Sequence, residues 1–77
     1  MKFRKCTLME CVGKIARLTA ADGEVIIAKT FDYMTAEDNE ELDNGLVGAS
    51  VSYRDEFGHG YEISEGDLVK IEVEDKD

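Results

Sequence analysis

Two periodicities divide the chain. Over residues 2–12 the spacing is helical. Phe3, Thr7 and Cys11 share one face, and Leu8 with Val12 makes a second i,i+4 pair. Gly13 stands where a helix would stop. A helix that short is unstable alone and must dock on something. From Gly13 the period becomes two. Ala16, Leu18 and Ala20 alternate with Arg17 and Thr19, which predicts a half-buried strand. Asp22-Gly23 is a strong hairpin signal. Residues 24–33 are rich in β-branched and aromatic side chains and predict a second strand. Its run Val25-Ile26-Ile27 predicts burial on both faces, where the sheet curls.

The acidic stretch 35–45 reads as a loop ending in Asn44-Gly45. Val47, Ala49, Val51 and Tyr53 alternate with small polar residues in a third strand. Residues 55–60 form a turn, and Tyr61 and Ile63 begin a short fourth strand. Ser64-Glu65-Gly66-Asp67 is a turn or a single helical turn. Leu68, Val69, Ile71 and Val73 give a fifth strand, with Lys70, Glu72 and Glu74 outward. The expected architecture is mostly β. One domain over 1–77 has a helix at 2–12, a barrel at 13–74 and a polar tail at 75–77. Five short, bent antiparallel strands suit a small barrel, because closure removes exposed edges. Leu18, Ile26, Val51 and Ile71 are its expected core.

Charge changes the picture more than size does. The 77 residues carry 18 acids against 9 bases, a formal net charge of -9. The bases are uneven: Lys2, Arg4, Lys5, Lys14 and Arg17 precede residue 21, against Glu10 alone. A net-negative chain repels duplex DNA, whose recognition needs clustered cations. No apolar run approaches the length of a membrane span or follows the basic N-terminus as a secretory signal would. A cytoplasmic protein is therefore expected. Cys6 and Cys11 read as reduced thiols rather than a disulfide framework. The thin core must then hold the fold alone or with help from a homo-oligomer.

Cys6, Cys11 and His59 have the chemistry of zinc ligands, but their spacing fits no zinc pattern. The stretch Glu37-Asp38-Asn39-Glu40-Glu41-Leu42-Asp43 has carboxylates for calcium but lacks the glycine placement of a calcium loop. Nothing pairs a nucleophile with a base, so neither catalysis nor a cofactor is expected. Two surfaces remain. Glu37, Asp38, Glu40, Glu41 and Asp43, with Tyr33, Phe57 and Tyr61, are the expected protein-binding residues. Lys2, Arg4 and Lys5 are the basic patch that a nucleic acid would touch.

The chain resembles the Sm-like family of small β-barrels. Gly13-Lys14, Leu18, the Asp22-Gly23 hairpin, Phe31-Asp32-Tyr33 and the closing segment from Tyr61 to Val73 carry the resemblance. It is narrowest to short bacterial Sm-like proteins with an acidic Asp-Asn loop such as Asp38-Asn39. The resemblance implies a helix-capped barrel and, in its RNA-binding members, RNA. Those members have a glycine where Ala28 stands, an asparagine where Thr35 stands, and a cation where Ser64-Glu65-Gly66-Asp67 carries acids. The reading that follows is a non-enzymatic acidic module that binds a protein. The alternatives are an RNA binder using the basic N-terminal helix, and an acidic nucleic-acid mimic that inhibits a basic enzyme.

Overall fold

The computed structural model describes residues 2–75. In chain order they form β1 (Lys2–Lys5), α1 (Leu8–Cys11), β2 (Ile15–Ala20), β3 (Val25–Met34), α2 (Ala36–Leu42), β4 (Ser50–Arg54), β5 (Gly60–Ser64), a 3-10 turn (Glu65–Asp67) and β6 (Leu68–Asp75). All strands join one antiparallel sheet in the order β1-β6-β2-β3-β4-β5. The β2–β3 hairpin turns at Asp22-Gly23, as its sequence requires. Gly23 takes φ +95°, and the Asp22 carboxylate accepts the Glu24 N–H at 2.9 Å.

β3 changes the sheet's direction. Asp32 adopts a left-handed φ of +50° inside a bulge between Phe31 and Tyr33. Before the bulge Ile26, Ala28 and Thr30 face inward; beyond it Tyr33 does, opposite Val51. The sheet thus curls over a core of Leu8, Cys11, Ala16, Leu18, Ala49, Val51 and Val73, each at most 2% exposed. Leu18 and Val51 were expected there. Ile26 and Ile71 are only partly buried and pack against its margin.

Several expectations are corrected. The helix expected at 2–12 is a strand followed by one helical turn. Phe3 pairs with Glu74 and Lys5 with Glu72, so β6 satisfies backbone groups that an isolated short helix holds poorly. What survives is α1, capped reciprocally. Thr7 Oγ1 accepts the Glu10 N–H at 3.3 Å, and the Glu10 carboxylate accepts the Thr7 N–H at 3.0 Å. The strands number six, not five, and the sheet does not close. β6 lies between β1 and β2, so β1 and β5 stand at the two ends of the sheet and do not pair with one another.

Val25 and Ile27 are not buried on both faces; they are 53% and 56% exposed on the convex side. Glu72, expected outward, is 6% exposed. On that side Arg17 spans it with two bonds, Nε to Oε1 at 2.8 Å and Nη2 to Oε2 at 3.0 Å, while the same guanidinium covers Phe3 at 4.4 Å. Of the expected polar tail, Asp75 belongs to β6 and pairs with Lys2; residues 76 and 77 lie outside the described residues.

Candidate functional site

The acidic stretch is a helix, not a loop. Thr35 is its N-cap, accepting the Asp38 N–H at 3.2 Å, and Asp43 ends it in a left-handed conformation. Its buried anchor is a polar residue. Asn39, 1% exposed, donates to Gly48 O at 2.9 Å and Ser50 Oγ at 3.1 Å, and accepts from Asn44 Nδ2 at 3.0 Å. The other helical positions from Ala36 to Leu42 all face solvent. Glu37, Asp38, Glu40, Glu41 and Asp43 therefore form one exposed carboxylate surface on a fixed support. Among the described residues none of the five is in an ion pair. Leu42 and Val47, 62% and 70% exposed, stand beside them.

The aromatic trio Tyr33, Phe57 and Tyr61 is not one surface. Tyr33 turns inward and packs on the core. Phe57 sits at the tip of the β4–β5 hairpin, 77% exposed. Tyr61 stacks on Tyr53, with ring centroids 5.3 Å apart, and donates its hydroxyl to Asp55 Oδ2 at 3.1 Å. Asp55 organises this tip. Burial would raise its carboxyl, but donation from the His59 and Phe57 N–H groups, Tyr61 and His59 holds it below the usual range. Tyr61, facing that carboxylate, is pushed up. The Tyr53–Tyr61 pair was legible only from register, which sets the two rings opposite one another.

Lys2, Arg4 and Lys5 do not share a helix face either. On β1 they alternate, so Arg4 points to the side opposite Lys5. Arg4 instead lines a shallow cleft with Lys14 and Lys29, bounded by Glu74 and Asp75. An adjoining cleft shares Gly13 and Lys29 and adds Phe31 and Arg54, whose guanidinium lies 5.1 Å from the Phe31 ring centre. Four exposed cations thus follow one rim of an acidic protein. Among the described residues none of them is in an ion pair. Sequence reasoning missed Lys14, Lys29 and Arg54 because they come from the bend before β2, from β3 and from β4. Gly13-Lys14 meets β3 through bonds from Gly13 N to Thr30 O and Thr30 N to Lys14 O.

Cys6 and Cys11 are free thiols, and burial pushes both above the usual thiol range. Cys11 is fully buried, and its Sγ donates to Leu8 O. His59 lies at the far hairpin tip, 3.3 Å from Asp55. Among the described residues no group of three or more His, Cys, Asp or Glu side chains is placed to hold a metal ion. Among the described residues no helix is long and apolar enough to cross a membrane. No family model, curated protein or solved structure matches the chain.

Proposed function

We propose that this chain is a non-enzymatic binding module whose acidic helix α2 engages a basic protein partner. The supporting observation is the α2 surface. Five exposed carboxylates, free of ion pairs among the described residues, stand on a helix pinned by Asn39. Such charge steers a basic partner and raises its on-rate. Leu42 and Val47 offer apolar contact at the same place. A basic nucleic-acid enzyme, held by mimicry of its substrate, is one partner of this kind. The test is capture from a lysate with the parent and with a variant carrying Gln or Asn at 37, 38, 40, 41 and 43. Basic proteins retained by the parent and lost by the variant support the reading; identical captures reject it.

A second reading keeps the Sm-like resemblance and its ligand, RNA. It is favoured by the rim of Arg4, Lys14, Lys29 and Arg54 beside Phe31, since cations and aromatic faces together suit single strands. Binding of single-stranded RNA that is lost on replacing Lys14, Lys29 and Arg54 by Ala, and kept on replacing Lys2 and Lys5, would establish it.

A further inference from the structure

The sheet ends in an open edge. β5 pairs with β4 only, and no other strand of the described residues lies against it. The hydrogen bonds at the two ends of this hairpin fix which backbone groups are unused. Asp55 N donates to His59 O at 3.0 Å, and Glu65 N donates to Ala49 O at 2.9 Å. Antiparallel bonding alternates, so Tyr61 and Ile63 bond inward to Tyr53 and Val51. The N–H and C=O groups of Gly60 and Glu62 therefore point outward. Both residues are exposed, whereas Ser64 is buried and closes the edge at its far end.

We infer that the Gly60–Ile63 edge of β5 accepts an extended basic segment of a partner protein as an additional strand. This rests on the reading of the chain as an acidic protein-binding module. Side chains set the partner's pattern. Residues of an added strand opposite Tyr61 and Ile63 share their face, which carries the 46% exposed Tyr61 ring and suits apolar groups. The residue opposite Glu62 falls on the other face, beside an exposed carboxylate, and suits Lys or Arg. Ser64 pairs with Ser50, which Asn39 of α2 holds, so the strand would run toward the acidic helix. A segment alternating apolar and basic residues therefore matches the edge in backbone, face and charge. The chain's own β1 has a similar pattern, Lys2-Phe3-Arg4-Lys5. A second copy is disfavoured, because two molecules of charge -9 repel.

The probe is a fluorescent peptide of alternating Val and Lys, titrated against the whole chain. Three controls accompany it: a scrambled peptide of equal composition, one N-methylated at the residue opposite Glu62, and the five-site α2 variant. Binding should protect the Gly60 and Glu62 amides from hydrogen exchange. N-methylation should weaken it about fivefold to tenfold, the loss of one net hydrogen bond. The α2 variant should keep the N-methylation effect even if overall affinity falls. Salt-sensitive binding that ignores scrambling and N-methylation would overturn strand addition and leave the acidic-module reading standing. Failure of every basic peptide to bind would overturn both. Self-association that protects the same amides would assign the edge to a second copy and equally overturn the proposal.

Discussion

Glu72 shows how one residue escapes a pattern. Its place in β6 alternates with Ile71 and Val73, so periodicity sends it to solvent. The solvent side there is covered, because Arg17 lies opposite on β2 and reaches over to Phe3 on β1. The Arg17 hydrogen bonds hold the Glu72 carboxyl below the usual glutamate range, against the opposing effect of burial. A depressed folded value means the pair stabilises the fold above the unfolded glutamate value. That contribution disappears as pH falls through the lower, folded value. The parent should therefore lose more thermal stability between pH 7 and pH 3 than Glu72→Gln does. An equal loss in both would show that other carboxylates set the acid limb.

Asn39 makes a stronger demand. Its side chain is buried with three partners, and Ala would leave the Gly48 carbonyl and Asn44 amide short of theirs. Asn39→Ala should cost about 2 kcal/mol. That corresponds to a fall in melting temperature on the order of 10 °C for a domain of this size. A fall of only a degree or two would show that α2 is not held by this side chain.

At the scale of elements, local pattern was a good guide wherever neighbours in sequence are neighbours in the sheet. The β2–β3 hairpin lies where its alternation and Asp22-Gly23 put it. β5, the Glu65–Asp67 turn and β6 follow their own signals within a residue or two. β1 was misread because its partner is at the opposite end of the chain, and Phe3, Thr7 and Cys11 mimic a helical face. α2 was misread for a different reason. Its acids suggested repulsion and a loop, while its anchor is polar and leaves no hydrophobic periodicity.

The same acids make α2 an uneven helix. Glu37 and Asp38 lie in the first turn, where the helix dipole favours negative charge, and no base lies in the last turn. Replacing Glu40 and Glu41 by Gln should raise stability by about 0.3–1 kcal/mol at low salt. Replacing Glu37 and Asp38 by Gln and Asn should lower it by a similar amount. Melting curves of the two double variants decide this, and equal shifts of one sign would show that net charge, not the dipole, governs.

For the whole molecule, charge is arranged by place as well as by amount. α2 and its C-cap Asp43 gather five acids, the rim opposite the β2–β3 turn gathers four bases, and β5 leaves an edge open between other strands and solvent. The sequence carried the excess of acids plainly, but the rim exists only once the sheet brings Arg4 of β1, Lys14 before β2, Lys29 of β3 and Arg54 of β4 together. This arrangement predicts two opposite responses to salt. The folded chain concentrates charge of one sign, so screening over about 8 Å at physiological ionic strength should relieve repulsion. Its melting temperature should rise between low and physiological salt, and rise less in the five-site α2 variant. Arg17–Glu72 should not reverse this, because a half-covered, two-bond pair is screened less than exposed acids. Affinity for a basic partner should fall over the same salt range, since steering and contact both depend on the charges being screened. Measured in one buffer series, a stability that rises while affinity falls locates both effects in exposed carboxylates. A stability that falls with salt would mean that ion pairs outweigh repulsion, and the α2 surface would lose its claim to be unsatisfied charge awaiting a partner.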